Sequence, residues 1–255
     1  MALFMMAKQL PKSNDNPLWM RLDSDFSNPN IKARFSLKSF PINLDNSRMI
    51  FARKLGFNHQ KLIIPIQTHS INVTFCNKPG LKQKCDGVFT SNAQNVCSIQ
   101  VADCMPVFFA HYKENVFGLL HVGWRGLVNG ILQKSEKVLN RNKYDLSDFE
   151  VIIGPSIQKC CFEIKDDIIE KFHSKFILHK IKLGKDFVDL QNYALNNLVE
   201  LGMSKVNIKT SKECTFCNTE KYHSYRRDGE NAGRMFGMIG IEEPNSKSRK
   251  KIFNP

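Results

Sequence analysis

The sequence contains no long apolar run. No window approaches the roughly 20 apolar residues that a membrane helix requires. The apolar residues between Met1 and Met6 are too few for a signal peptide, have no basic region before them and are soon followed by Lys8. We therefore expect a cytoplasmic protein that has no membrane partner.

The chain also lacks a linker rich in Pro, Gly or Ser, an internal repeat and a low-complexity tract. With 255 residues, of which 42% are hydrophobic, it is long enough to bury a full core. Without a linker to divide it, the chain is expected to form a single domain.

Phosphate-binding glycine loops are missing as well. The sequence has neither GxxxxGK[ST] nor a GxGxxG that follows a strand, which argues against the common nucleotide-dependent folds. The H-x-E…P-C-x-x-C signature of zinc deaminases is also absent. Any chemistry on nucleotides or nucleosides must therefore use another kind of site.

Positive charge is abundant but dispersed. The formal net charge is +13, and the basic residues cluster only at Lys247, Arg249, Lys250 and Lys251. A nucleic-acid surface would concentrate them on one face or helix. We expect no nucleic-acid partner, and the excess charge favours small anionic ligands.

Eight cysteines in a chain without an export signal are better interpreted as thiols or metal ligands than as disulfides. Cys214 and Cys217 form a CxxC pair, but no second pair follows at zinc-ribbon spacing, which disfavours a structural metal site. The adjacent Cys160 and Cys161 would point to opposite faces of an extended chain, so we interpret them as core or pocket-wall residues.

Hydrophobic patterning predicts strands and helices without regular βαβ alternation, and therefore an α+β fold. Predicted strands are 61–67, 71–76, 87–90, 96–102, 106–111, 116–121, 149–154, 206–209 and 234–241, with one or two edge strands before residue 46. Predicted helices are a short one after Asn46 closed by Gly56, then 126–140, 166–176 and 186–201.

His69, Cys104 and His121 each stand where an apolar strand ends. A catalytic zinc site takes three nitrogen or sulfur ligands from the protein and leaves a fourth position open. The wide spacing of these residues requires tertiary assembly. Taken one at a time, a buried histidine or cysteine is more often a core residue than a metal ligand.

The residues around these three sharpen the metal interpretation. Asp103 places a carboxylate beside Cys104, which a cysteine buried in the core would not need. After His121, Gly123 allows close backbone approach, while Trp124 and Arg125 offer stacking and anion contact.

Six ordered motifs resemble those of the laccase-domain family, also described as multicopper polyphenol oxidase-like. They are Gln67-Thr68-His69, Cys85-Asp86-Gly87, Ala102-Asp103-Cys104-Met105-Pro106, His121-Val122-Gly123-Trp124-Arg125-Gly126, Ile153-Gly154-Pro155-Ser156-Ile157 and Ser224-Tyr225-Arg226-Arg227-Asp228-Gly229. The resemblance implies a single α/β/β/α-layered domain. It also implies a zinc-dependent purine nucleoside phosphorylase that cleaves adenosine, inosine or methylthioadenosine with phosphate and deaminates adenosine.

The resemblance also implies roles for individual residues. His69, Cys104 and His121 would hold Zn²⁺, or alternatively Cu. Asp103, Cys104 and Arg125 would be catalytic, with Asp103 or another carboxylate moving a proton. The residues expected to bind substrate or phosphate are Gln67, Asp86, Arg125, Arg226 and Arg227.

On this basis, residues 1–45 are a divergent amino-terminal segment of the same domain, 46–241 the metal-binding catalytic core and 242–255 a basic flexible tail. We expect a monomer or homodimer whose partners are a purine nucleoside and phosphate. In the first segment, the family's Arg-Gly-Gly and Ser-Leu-Asn-Leu stretches are replaced by Ser36-Leu37-Lys38-Ser39-Phe40 and Asn46-Ser47-Arg48. That departure leaves the substrate range open.

Three alternatives compete with this interpretation. A copper polyphenol oxidase would need a multi-histidine cluster, and the chain has only seven histidines. A hydrolase with Cys104 as nucleophile and His69 or His121 as base would act on peptidoglycan precursors, a role to which family members have been linked. The third alternative is an inactive zinc-binding module.

Overall fold

The computed structural model of the chain describes residues 17–41, 46–180 and 184–243. Most of the tail predicted at 242–255, and residues 1–16 of the amino-terminal segment, lie outside these ranges. Within them, no helix combines the length and apolar character needed to cross a membrane.

The first of two six-stranded sheets joins strands from both ends of the chain. Its order is β1 (Trp19–Arg21), β2 (Ile31–Ser36), β15 (Met235–Ile241), β7 (Val96–Val101), β3 (Leu62–Pro65) and β5 (Gly80–Lys82). Strand β15 pairs antiparallel with both β2 and β7. The amino-terminal strands are therefore built into the sheet through the last strand of the described chain.

The second six-stranded sheet carries most of the motifs. Its order is β14 (Ile208–Thr210), β10 (Phe149–Ile153), β8 (Met105–His111), β9 (Phe117–Val122), β6 (Gly87–Thr90) and β4 (Val73–Phe75). Its central strands β8 and β9 are buried along their whole length. Such apolar runs are typical of strands covered on both faces.

The two sheets pack face to face, and helices cover their outer sides. Ile99 and Met235 of the first sheet share one core with Phe108 and Leu119 of the second. Helix α1 (Ser47–Lys54) packs on the first sheet through Phe51. Helices α3 (Ile131–Arg141) and α5 (Leu190–Glu200) cover the second. The α/β/β/α arrangement expected from the resemblance is confirmed.

The helix predicted at 126–140 is in fact two helices. Helix α2 (Trp124–Val128) ends before Gly130, and α3 starts at Ile131. Gly130 adopts a φ of 95°, a left-handed conformation that glycine tolerates and that interrupts an α-helix. The apolar spacing predicted the buried face correctly but did not reveal this break.

The helices predicted at 166–176 and 186–201 are wrong in part. Helix α4 spans only Asp166–Ile169, and Ser174–Phe176 forms a 3₁₀ turn. Strands β11 (Glu163–Ile164), β12 (Ile177–Lys180) and β13 (Lys185–Val188) make a third sheet in the order β11-β13-β12. Helix α5 begins only after Asp189, whose side chain accepts a hydrogen bond from the Asn192 N–H as an N-cap.

Candidate active site

Strand register brings Cys104 and His121 together. Strands β8 and β9 pair antiparallel with Pro106 opposite His121, and Cys104 lies just before β8. Strand β6 lies on the other side of β9, and the His121 N–H donates to the Asp86 carbonyl at 2.7 Å. The second sheet therefore delivers a thiol, an imidazole and a carboxylate to one edge.

His69 reaches the same edge from the loop between β3 and β4. The buried Asp86 carboxylate accepts the N–H groups of Thr68, His69 and Ser70 at distances between 2.7 and 3.2 Å. His69 has a φ of 58°, a conformation that residues other than glycine seldom adopt. The hydrogen bonds to Asp86 stabilise this loop and thereby fix the imidazole.

The structure brings the side chains of His69, Cys104 and His121 together. One ligand atom from each of His69, Cys104 and His121 lies within 4.8 Å of the other two. The His69 Nε2 to Cys104 Sγ distance is 3.9 Å. Gly123 makes this approach possible, because a Cβ there would lie 3.0 Å from the His69 Cδ2 and 3.1 Å from the Cys104 sulfur.

Electrostatics favour the deprotonated thiol. Burial tends to raise the pKa of Cys104, but the charge of His121 and hydrogen bonds from His121 and His69 outweigh it and lower the pKa. Burial likewise opposes charge on His121, yet Cys104 and Asp86 raise its pKa. For Asp86, hydrogen bonds from His121 and Ser70 overcome the effect of burial and hold the pKa below its usual range.

This donor set suits a metal ion with an open coordination position. Two imidazoles and a thiolate are ligands that zinc and copper prefer. The His121 Nδ1–H donates to Asp86 Oδ1 at 2.8 Å, which leaves Nε2 for an ion. A carboxylate behind a histidine is the usual arrangement at such centres. The sequence motif placed Asp86 near the site, but its orienting contact emerges only from the fold.

A cavity of ≈ 550 Å³ opens beside the three ligands. This volume falls within the usual range of small-molecule sites, about 300–1,000 Å³. Its lining is Gln67, His69, Gln100, Val101, Ala102, Asp103, Cys104, His121, Trp124, Arg125, Ile157, Phe162, Tyr225, Arg226 and Arg234. Aromatic and cationic side chains therefore surround the open side of the ligand set.

The predicted arginines occupy different places. The Arg125 guanidinium stacks on Trp124 at 4.5 Å, and that of Arg226 lies 5.1 Å from the Phe162 ring centroid, both in the cavity lining. Arg227 lies outside the lining. Its guanidinium donates to the carbonyls of Thr215, Phe216 and Tyr222 and to the Asp228 carboxylate.

Asp103 lines the cavity but is committed to protein contacts. Its carboxylate accepts hydrogen bonds from the Thr215 hydroxyl at 2.6 Å, the Ser224 hydroxyl at 3.0 Å and the Arg226 N–H at 2.7 Å. Asp103, which precedes Cys104, has a φ of 82°. Like the φ of His69, this is a strained backbone angle for a residue other than glycine. The carboxylate joins the Cys104 turn to helix α6 (Tyr225–Asp228).

Gln67 and Asp86 also differ in position. Gln67 lines the cavity, and its side-chain amide exchanges hydrogen bonds with the N–H and carbonyl of Gln100. Asp86 is fully buried behind His121 and outside the lining. Sequence reasoning missed the lining residues Gln100 and Arg234, since neither stands in one of the six motifs.

Comparison with known proteins agrees with this architecture. The chain matches, over residues 30–242, the sequence model of a protein family described as multi-copper polyphenol oxidoreductase laccase. The chain belongs to this laccase family. The word copper in that description refers to the family and does not assign a metal to this chain.

Relatives of this laccase-family chain include proteins named purine nucleoside phosphorylase. One from Haemophilus influenzae is 31% identical over 202 residues, covering 77% of this chain and 80% of the relative. One from Staphylococcus aureus strain N315 is 30% identical over 222 residues, covering 78% and 80%. These names, which describe the relatives, support the status of the chain as an enzyme.

Solved structures of similar fold include YlmD from Geobacillus stearothermophilus, with a TM-score of 0.81 and 23% identity over 91% of this chain and 98% of that one. The YfiH protein of Bacillus licheniformis has a TM-score of 0.75 and 24% identity over 83% and 92%. At these identities the likeness supports the fold alone.

Proposed function

We propose that this protein is a zinc-dependent purine nucleoside phosphorylase that cleaves adenosine, inosine or methylthioadenosine with phosphate and also deaminates adenosine. The observation that carries the proposal is the shared cavity, in which His69, Cys104 and His121 lie together with three arginines. The names of the relatives support the phosphorolysis part of the proposal.

The cavity offers suitable contacts for both substrates. Arg125 and Arg226 would hold phosphate through charge-assisted hydrogen bonds, and Arg234 adds a third cation to the lining. Trp124, Phe162 and Tyr225 give apolar and aromatic surface for a purine. In phosphorolysis, a phosphate oxygen bonds to C1′ of the sugar while the bond from C1′ to the purine nitrogen breaks and its electron pair stays on the base.

His69, Cys104 and His121 would hold the zinc ion, which when bound can polarise a substrate heteroatom or activate water. Asp86 keeps the His121 Nδ1 proton in place, so the other ring nitrogen faces the cavity as an acceptor. The three hydrogen bonds to Asp103 support a role in positioning helix α6 more directly than the proton transfer expected of it.

The proposal is tested with metal-quantified protein and adenosine, inosine or methylthioadenosine, each with and without phosphate. We expect base release that requires phosphate, and ammonia release from adenosine that does not. His69→Ala should lose the ion and both activities, whereas His59→Ala, which changes a half-buried histidine outside the cavity, should retain them. Zinc-loaded protein that converts none of these nucleosides would refute the proposal.

A hydrolase that uses Cys104 as nucleophile is the second candidate. The lowered pKa of Cys104 and its 3.9 Å separation from His69 Nε2 favour it. Inactivation by a thiol alkylator but not by a chelator would support this candidate, whereas reversible loss of activity with a chelator would support the metal-dependent enzyme.

A further inference from the structure

Two pairs of cysteines that are more than 50 residues apart in sequence converge outside the cavity. The sulfur atoms of Cys160, Cys161, Cys214 and Cys217 all lie within 4.8 Å of one another. The Cys217 sulfur is 3.7 Å from that of Cys160 and 3.3 Å from that of Cys161. We refer to these four residues as the cysteine cluster.

Two turns build the cysteine cluster. Cys160 and Cys161 lie in a turn closed by hydrogen bonds from the N–H groups of Cys161 and Phe162 to the Gln158 carbonyl at 2.9 Å. The turn removes the alternation of an extended chain, so both sulfurs reach the same side. The expectation that they point to opposite faces is wrong for this reason.

The CxxC pair occupies the second turn, which is tied to the first. The Asn218 N–H donates to the Cys214 carbonyl at 3.1 Å, and the Thr215 N–H donates to the Ser156 carbonyl at 3.1 Å. The Gln158 N–H points at the Cys214 sulfur at 3.4 Å. Backbone N–H groups directed at sulfur commonly stabilise thiolates that bind metals.

The sulfur separations fit one tetrahedral ion. A Zn–S bond of about 2.3 Å gives sulfur–sulfur distances of about 3.8 Å in a regular tetrahedron. The distances of 3.3 and 3.7 Å to Cys217 are close to this value, whereas a disulfide requires about 2.05 Å between sulfurs. Four sulfur ligands would complete the coordination shell and leave no position for water or substrate.

We propose that Cys160, Cys161, Cys214 and Cys217 bind a structural zinc ion that holds the 158–162 turn to the 214–218 turn. Each turn continues into the wall of the catalytic cavity. Phe162 lines the cavity beside Cys161, and Thr215 follows Cys214 and donates to Asp103. The ion would therefore fix the cavity wall without touching the substrate.

The direct test is the metal content of protein purified under reducing conditions with zinc supplied. Wild-type protein should hold two zinc ions per chain, and Cys217→Ser should hold one. Cys76→Ser is the matched control, because Cys76 is partly buried and lies outside both ligand sets. It should retain two ions.

Cobalt titration of metal-free wild-type protein gives a test that needs no variant. Two successive equivalents should bind, one of them with the intense charge-transfer absorption of four cobalt–sulfur bonds. The same number of bound ions in Cys217→Ser as in wild-type protein, or isolated protein whose mass shows these cysteines paired as disulfides, would each overturn the proposal. A single wild-type ion that is lost in Cys217→Ser would support the cysteine cluster and contradict only the site formed by His69, Cys104 and His121. Bound iron in place of zinc would overturn the metal assignment.

Discussion

The two groups of side chains that could hold a metal ion differ in composition and surroundings. The first, His69 with Cys104 and His121, supplies three ligands of two kinds and faces a cavity of ≈ 550 Å³. The cysteine cluster supplies four ligands of one kind and lies between two turns. One group leaves space for a substrate, and the other can close around its ion.

The difference follows from how each group is held. The first group is attached to the buried second sheet. The Asp86 carboxylate behind it fixes both the His121 ring and the loop that carries His69. The cysteine cluster is held by backbone hydrogen bonds within and between its turns. Rigid support with an open side suits catalysis, whereas saturated coordination between loops suits stabilisation.

Asp86→Asn is expected to cause the largest change in metal affinity that is confined to one of the two groups. The amide would present an N–H₂ group to N–H donors of the 68–70 loop and weaken the orientation of His121. Metal affinity at the first group should fall roughly 10- to 100-fold. Competition with a chromophoric chelator measures this, while the ion of the cysteine cluster should stay bound.

Asp186→Asn provides the control for this change. The Asp186 carboxylate accepts a hydrogen bond from the His179 ring at 2.7 Å, in an exposed pair outside both groups. The Asp186→Asn protein should therefore bind metal as tightly as wild-type protein. If Asp86→Asn binds as tightly as Asp186→Asn, the carboxylate does not orient the site.

A smaller effect is expected from Gly123→Ala. The new methyl group would press on the His69 ring and the Cys104 sulfur at about 3 Å, so the two ligands would separate. We expect about a tenfold loss of affinity at the first group, near the lower end of the range for altered ligand orientation. Gly240→Ala places an equally close methyl against Val96 in the first sheet and should leave metal binding unchanged.

The smallest effects are expected from replacing Arg125, near the first group, and Arg227, near the cysteine cluster. Arg125 is exposed in the cavity lining, so Arg125→Ala should raise the KM for phosphate roughly fivefold, since an exposed charge contributes up to about 1 kcal/mol. Arg227→Ala should instead lower the melting temperature without changing that KM, because Arg227 braces the segment of Thr215 and Phe216. Steady-state kinetics and thermal unfolding would distinguish them, and equal KM shifts would contradict this division of roles.

The sequence allowed the buried strands, and the convergence of His69, Cys104 and His121, to be predicted for related reasons. Apolar runs such as Gly87–Thr90 match their observed strand, and each ligand stands beside such a run. Once the runs are placed in one sheet, their ends meet at a common edge. The order of the six motifs is sufficient to indicate the family to which the chain belongs.

Features that depend on loops could not be predicted in this way. The third sheet is short and irregular in sequence pattern, and its strand β13 occupies the first residues of the helix predicted at 186–201. The cysteine cluster was not predicted, because Cys160 and Cys161 precede the CxxC pair in the sequence instead of following it. Their approach to that pair also depends on a turn at 159–161. The separation of Arg226 from Arg227 likewise follows from the geometry of a single helical turn.

The contacts of Asp103 have a consequence for the order in which the protein is made. Its hydrogen-bond partners Thr215 and Ser224 follow it by 112 and 121 residues. A ribosome releases the two imidazoles and the thiol of the first group well before these partners exist. The Asp103 carboxylate can therefore make these contacts, and the cavity can gain the wall that carries Tyr225 and Arg226, only after the chain has been extended past Ser224.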